Sequence, residues 1–378
     1  MLKQALLRVL SLAEQSGLSR SLGSSAWRRR RLLILCYHGV SKYDEHEWAN
    51  YYIAPDTFRR RMQILKDTGC NVLPLSEALA RLRDGTLPRR AVVLTFDDGF
   101  HDYYSVAFPI LESFGFPATL YLTTYYVEFN RPVFDPMCSY LLWKARQRTQ
   151  LEWPEVLGAP VALDDAGRRG AVAAIKQFAL ERKLSGREKD ELLAQLARRL
   201  DLDYEGLCRK RVLHLITPEE ATELAARGAD LQYHTHRHRV YRGRERMFAE
   251  LQDNRRRIVS YTSKEPSHYC YTGSFYLPQH PGYLREYGIQ SATTLERGLC
   301  TAHSDPLRLP RIGDGMALSD LEFRAWLAGT AEFVPRRRIK MSAGQLMEEE
   351  DLPSGASSGH AVQGGYPGQH ITPQQDRQ

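Results

Sequence analysis

From Leu32 to about Leu327 the chain alternates apolar runs of strand length with stretches of helical spacing that stop at glycine. This rhythm limits the fold more than any other feature. "LLILCYHGV" precedes "FRRRMQILKDTG", "CNVLPL" precedes "SEALARLRDG", and "AVVLTF" precedes "HDYYSVAFPILESFG", after which "PATLYLTT" is again strand-like. Repeated strand–helix units predict an α/β fold built on a parallel sheet or barrel, with functional residues at the C-terminal ends of strands. Between about 130 and 215 the rhythm gives way to helical spacing without a clear strand, which predicts a helical insertion on the barrel, with a role as a lid in view. Alternation resumes with "ADLQYH", a charged helix from about Arg244 to Ser260, "SHYCYT", "PGYLREYG" and "IQSATT"; "PLRLPRI" is the last expected strand, before a helix around "LSDLEFRAWLAG". From 341 to 378 Gly, Ser, Pro, Gln and Glu dominate, the composition of a disordered tail.

With 378 residues, 43% hydrophobic and 26% charged, the chain suits one globular unit over residues 32–334. Residues 1–31 read as an amphipathic helix (Leu2, Ala5, Leu6, Val9, Leu10, Ala13) followed by the basic "WRRRR". Docking on the domain and peripheral contact with a membrane surface both fit that helix. Arg8 and Glu14 interrupt its apolar stretch and no small-residue cleavage site follows, so it does not read as an export signal. The six cysteines are scattered without the spacing of a zinc knuckle or redox pair, as expected of reduced thiols. These readings predict a cytoplasmic protein, peripheral to the inner membrane if the first helix meets lipid. The net charge of +7 collects in runs at Arg28–Arg31, Arg209–Arg211, Arg255–Arg257 and Arg336–Arg338. Such runs suit solvated faces, anionic phosphosugars or anionic lipid; no recognition motif accompanies them, which argues against nucleic acid.

Two stretches carry chemistry. "VVLTFDDGF" ends an apolar strand in two adjacent carboxylates, Asp97 and Asp98, which repel each other and are costly to desolvate unless something uses them. "YHTHRH" ends another strand with His234, His236 and His238. His234 and His238 are four apart, so one helical turn would put both imidazoles on one side, as a divalent metal requires, with His236 off that face. Two imidazoles and a carboxylate make a three-ligand site with positions left for water, the layout of a catalytic metal. Asp98 is read as the third ligand and Asp97 as a free base. The donor set suits zinc first, with cobalt, nickel, iron and manganese as alternatives.

"TFDDG" followed by His-Thr-x-x-His is similar to the polysaccharide deacetylases, the family 4 carbohydrate esterases. The resemblance runs from Leu32 to Leu327 through "ILCYHGV", "RAVVLTFDDGF", "DLQYHTHRH", "HYCY", "GIQSATT" and "LPR". It implies a distorted (β/α) barrel, metal-dependent removal of acetyl groups from sugars, Asp97 as base, and Asp98, His234 and His238 as ligands. The family's third motif, which supplies an oxyanion-hole N–H, corresponds to "CYTGSF" here, with Thr272 where proline is common and Gly273 displaced by one place; Tyr271, Thr272 and Gly273 are the candidate oxyanion residues. The family's late Leu-x-His motif is not evident. An early Tyr-His motif of rearranged members resembles "CYHGV" and makes His38 the candidate acid. Arg311 in "LPRI" is a candidate partner that keeps Asp97 ionised. Tyr103, Tyr104, Tyr125, Tyr126 and Trp143 are candidates for a sugar cleft. The expected substrate is an N-acetylated glycan or precursor, lipid- or nucleotide-linked; the rival expectation is a carbohydrate-binding protein of this type with weak or no turnover. Nothing in the sequence bears on oligomeric state.

Overall fold

The computed structural model describes residues 2–274, 276–334 and the pair 346–347. Seven strands build the central sheet: β1 (Leu33–Tyr37), β2 (Ala91–Asp98), β3 (Thr119–Leu122), β4 (Asp230–Tyr233), β5 (His268–Cys270), β6 (Ser291–Thr293) and β7 (Ile312–Gly313). They pair in parallel in the order β6-β5-β4-β3-β2-β1-β7, and a short strand at Asn71–Val72 pairs with the start of β2. The sheet curls until its ends meet. Thr293 bridges Leu309 in parallel, with Thr294 N–H donating to the Leu309 carbonyl at 2.9 Å and Leu309 N–H to the Ala292 carbonyl at 2.8 Å, just ahead of β7. The result is the distorted (β/α) barrel implied by the sequence.

The apolar runs are continuous because both faces of each strand are covered. On β2, Val92, Leu94 and Phe96 pack with Leu33, Leu35 and Tyr37 in the large outer core. Ala91 and Val93 join Ile34, Tyr121, Cys270 and Leu309, drawn from strands around the ring, in the barrel interior. The period of two therefore sends Thr95 and Asp97 inward and Asp98 outward.

The insertion is helical as expected, with helices at Phe134–Lys144, Asp165–Glu181 and Gly186–Arg199, and it adds a two-residue antiparallel ladder between Gln150–Leu151 and Val161–Ala162 that the spacing did not reveal. Leu141, Ile175, Leu193 and Leu196 lie in the same core cluster as β1 and β2, so the insertion is packed into the domain. Its end braces the loop after β2: Ile216 N–H donates to the Gly99 carbonyl at 2.9 Å, and Leu215 bridges Phe100.

At the N-terminus, α1 (Leu2–Gln15) docks against α2 (Asp320–Ala328), with Leu10 buried and Arg324 Nε 2.5 Å from Glu14 Oε1. Arg28, which opens the basic run, is fully buried and donates to the carbonyls of Leu327 at 2.9 Å, Arg31 at 2.6 Å and Ala91 at 3.4 Å. Burial lowers its pKa to about 10, yet it stays charged at neutral pH. It is a structural clasp between the N-terminal segment, α2 and the barrel, not a surface charge. Of the expected tail, Leu346–Met347 form a short strand against Val240–Tyr241; the rest of residues 341–378, and the Arg336–Arg338 run, lie outside the described residues.

Arg28→Met leaves carbonyls from three segments without their buried donor. It should destabilise the protein by roughly 2–4 kcal/mol, read as a lowered denaturation midpoint with an unchanged denaturant slope.

Candidate metal centre

The strand β2 ends in a tight turn. Gly99 N–H donates to the Asp97 carbonyl at 2.9 Å, placing Asp98 at the apex of a three-residue turn with φ 72°, a rare form that costs backbone strain. Aspartate tolerates that region better than most residues. Gly99 has φ 92°, and a Cβ there would lie 2.2 Å from Leu122 Cδ1, so any other residue would be strained and the Leu122 side chain would have to shift. The "DDG" triplet is thus written by the turn as well as by chemistry.

His234 follows β4, held by its N–H to Asn254 Oδ1 at 3.0 Å; Asn254 in turn donates to the Leu122 carbonyl at 2.9 Å and Thr124 Oγ1 at 3.1 Å. Residues 234–238 do not make the helical turn expected of them. They form a loop with Thr235 at φ 63° and His238 at φ 55°, fastened by buried Glu250, which accepts from Arg237 N–H at 2.8 Å and Arg237 Nη1 at 2.6 Å. The loop nevertheless brings both imidazoles to one carboxylate: His234 Nε2 and His238 Nε2 lie 3.2 and 3.1 Å from Asp98 Oδ1.

These contacts have the distances of hydrogen bonds without their geometry. Asp98 Oδ1 is buried and has no hydrogen-bond partner among the described residues. His234 Nδ1 lies 3.0 Å from the Cys270 carbonyl, which only accepts, so the proton sits on Nδ1 and the Nε2 lone pair faces Asp98. Lone pairs on nitrogen and on an anionic oxygen repel at this separation unless a cation lies between them. Asp98, His234 and His238 therefore fit a metal ion, as two imidazoles and a carboxylate with room for water do in open sites. His236 is buried and stands apart, with Nδ1 2.9 Å from Thr124 Oγ1; burial lowers its pKa to about 4.

Asp97 points the other way, into the barrel, where Arg311 grips it with Nη1 2.8 Å from Oδ1 and Nη2 2.8 Å from Oδ2. Both side chains are buried. Burial alone would raise the Asp97 pKa, but the Arg311 charge and its hydrogen bonds outweigh it and hold the carboxyl far below the usual range. Two thiols that the sequence reading passed over, Cys36 and Cys270, approach Asp97 Oδ2 at 3.4 and 3.5 Å; burial pushes both well above the usual thiol range, so they are neutral donors. Their position at the ends of β1 and β5 was the available signal. His38, just after β1 and half-exposed, has Nε2 3.9 Å from Asp97 Oδ2 and its ring beside Tyr51, centroids 5.5 Å apart. The structure thus gathers Asp97, Asp98, His38, His234, His238 and Arg311 at one end of the barrel.

The third motif is only partly available. Tyr271 N–H donates to the Thr293 carbonyl at 3.1 Å and its hydroxyl to the Leu307 carbonyl at 3.0 Å, so Tyr271 is committed to structure. Thr272 is buried with Oγ1 lacking a hydrogen-bond partner among the described residues, and Gly273 has φ 61°; their amides remain the candidate donors. Among the proposed cleft aromatics, Tyr103 is core, 4.8 Å from Phe96 between centroids, and Tyr104 turns its hydroxyl to Glu223 at 2.8 Å. Tyr125 lies edge to face against both Tyr126 and His236, and Trp143 carries the Arg146 guanidinium. The described arginine runs are largely paired within the chain: Arg211 with Glu220, Arg255 with Glu265, Arg256 with Asp253 and Arg257 with Glu128.

A parallel barrel with an Asp-His-His cluster at the C-terminal strand ends defines a candidate metal-dependent hydrolase. The description of the polysaccharide deacetylase family matches residues 84–158 and 162–292, more than half of the chain. The chain belongs to the polysaccharide deacetylase family. It is 30% identical over 112 residues to the poly-beta-1,6-N-acetyl-D-glucosamine N-deacetylase of Staphylococcus epidermidis, covering 27% of this chain and 39% of that protein. It is 30% identical over 99 residues to the protein of that name from Escherichia coli K12, covering 26% of this chain and 14% of that one. The alignments thus span well under half of these relatives. Among solved structures, the Streptococcus pyogenes deacetylase PplD in complex with acetate superposes with a TM-score of 0.50 at 19% identity, over 77% of this chain and 96% of that one. IcaB from Ammonifex degensii superposes with a TM-score of 0.50 at 18% identity, over 79% and 97%. At such identity the superpositions establish the shared barrel.

Arg311→Met removes the charge that keeps Asp97 ionised. In the native protein Asp97 should stay a carboxylate across the neutral range and be lost only in strong acid; in the variant, burial should push its carboxyl up. Neutral kcat/KM should fall about 100-fold or more, and the surviving activity should rise with pH. A pH profile parallel to the native one would show that the pair does not set the charge of Asp97.

Proposed function

We propose that the protein is a metal-dependent hydrolase that removes the acetyl group from an N-acetylated sugar in a glycan or glycan precursor. The observation that carries this reading is the meeting of the Asp98, His234 and His238 donors with an arginine-clamped Asp97 and with His38. Asp98, His234 and His238 would hold a divalent cation, zinc first, with cobalt, nickel, iron or manganese as alternatives. When bound, it would supply Lewis-acid polarisation of the acetyl carbonyl and lower the pKa of a water.

The chain's own residues do the rest. Arg311 keeps Asp97 ionised and fixed, and Asp97 accepts the proton of the attacking water. Such a carboxylate is a weak base, so it relies on a water already made acidic. The Thr272 and Gly273 amides are the donors offered to the oxygen on which negative charge develops. His38, within 3.9 Å of Asp97 Oδ2, delivers a proton to the leaving amine. The names of the relatives favour β-linked N-acetylglucosamine as the sugar. The internal pairing of the arginine runs weakens the case for an anionic nucleotide-linked substrate.

Incubation of metal-loaded protein with β-1,6-linked N-acetylglucosamine oligomers should release acetate; no acetate from these, from alkyl glycosides or from nucleotide-linked sugar would sustain the binding-protein alternative instead. Asp98→Asn should lose metal and activity together, because an amide replaces an anionic donor. Asp97→Asn should retain metal while turnover falls about 100-fold or more. Metal analysis beside kinetics separates the two, and the opposite pattern would exchange the roles.

A peripheral position on the cytoplasmic face of the inner membrane belongs to the same proposal. It is supported by Val9 and Leu12 of α1, 58% and 65% exposed, and by six free thiols, the form that a reducing compartment maintains. Flotation with phosphatidylglycerol vesicles should carry the protein, and a Val9→Glu, Leu12→Glu double variant should bind at least tenfold less; equal flotation of both would remove the membrane from the proposal.

A further inference from the structure

Beside the metal centre lies a cavity of about 850 Å³, in the upper part of the range for small-molecule sites. Its walls include Leu6 and Leu10 of α1, Leu318, Trp326 of α2 and Phe333, and its lining reaches Cys36 and His38. Cys36 and His38, which line it, also approach Asp97 Oδ2, with Sγ at 3.4 Å and Nε2 at 3.9 Å, so the cavity reaches residues that adjoin the candidate site. Its outer rim is open, because Val9 and Phe333 are exposed.

The chemistry of the lining selects the ligand. The carboxylates that reach it are already engaged: Asp314 accepts from Tyr37 Oη at 2.9 Å and Arg61 Nε at 3.2 Å, and Glu322 accepts from Ser319 N–H at 2.9 Å. Asn50, Tyr51 and Arg297 also line the cavity and suit a polar head group, whereas the wall of Leu6, Leu10, Leu318, Trp326 and Phe333 suits a hydrocarbon chain. An apolar chain entering at the rim would lead to a head group at His38 and Asp97.

We propose that this cavity receives the hydrocarbon chain of a lipid-linked N-acetylated sugar whose acetyl group lies at Asp97 and Asp98. The proposal rests on the deacetylase reading and narrows its substrates to sugars carried on a lipid. Gly313 offers the means to test it: it lines the cavity, and a Cβ there would meet nothing within 4 Å, so a larger side chain has space to project.

The probes are the octyl and methyl β-glycosides of N-acetylglucosamine. Each methylene transferred to an apolar site contributes appreciably, so the octyl glycoside should show at least a thirtyfold higher kcat/KM. It should also bind at least thirtyfold more tightly, by calorimetry, to the Asp97→Asn protein. Gly313→Phe should reduce both ratios to threefold or less, as should Leu318→Trp if the first variant folds poorly. Because each ratio is read within one protein, a general loss of activity leaves it unchanged. Acetate release without an octyl preference, or a preference that both filled variants retain, overturns the cavity proposal and leaves the deacetylase standing. Octyl binding that the filled variants abolish, with no acetate from any substrate, overturns the deacetylase reading and leaves the hydrocarbon occupant of the cavity.

Discussion

One buried guanidinium organises the working end of the barrel. Arg311 donates to both oxygens of Asp97 and to Thr95 Oγ1 on β2, to the Thr294 carbonyl just past β6, and lies 3.0 Å from Cys270 Sγ on β5. It stands itself on the segment that closes the ring ahead of β7. Burying two charges is expensive and is repaid only when geometry and hydrogen bonding are nearly complete. Here the two charges meet as a parallel fork, and the remaining donor capacity finds a hydroxyl, a carbonyl and a sulfur. The seam of the barrel and the charge state of Asp97 consequently depend on the same side chain.

Around that fixed point the backbone is held in uncommon conformations. Asp98, Thr235 and His238 all have positive φ, each at a cost in conformational energy. Neighbouring contacts hold them there: Thr123 N–H donates to the Asp98 carbonyl at 3.1 Å, Arg239 N–H to Thr235 Oγ1 at 3.2 Å, and Asn254 and Glu250 tie the histidine loop to β3 and its helix. Three donor atoms of like polarity are thereby held together by contacts of the fold itself. That is preorganisation, which lowers the ordering cost of binding a metal.

What could be read from the sequence was what is local. Runs such as "AVVLTF" announce strands covered on both faces, and "DDG" with "HTHRH" announces a site, since few uses other than a metal justify such crowding of acids and imidazoles at strand ends. What could not be read depended on distant partners. Nothing in "WRRRR" separates buried Arg28 from the exposed arginines beside it, because the carbonyls it serves come from Leu327 and Ala91. Tyr103 follows "DDG" as a cleft aromatic might, but the helix that carries it turns it onto Phe96. The helical turn expected for His234 and His238 failed for a related reason: spacing of four suits a helix, yet positive φ at Thr235 and His238 delivers the same convergence from a loop.

Adjacent aspartates can take different tasks because a strand separates its neighbours. Consecutive side chains on β2 leave opposite faces, so Asp97 continues the inward series of Ala91, Val93 and Thr95 and meets Arg311, while Asp98 leaves outward and meets two imidazoles. Were the segment helical, both carboxylates would lie about 100° apart on one surface and would compete for the same cations. Were Gly99 any larger residue, its φ of 92° would be strained and the Leu122 side chain would have to shift to admit the turn that lifts Asp98 clear of the ladder. The division between a carboxylate neutralised by arginine and one left for a cation is therefore set by strand pleat and a single glycine, before any substrate arrives.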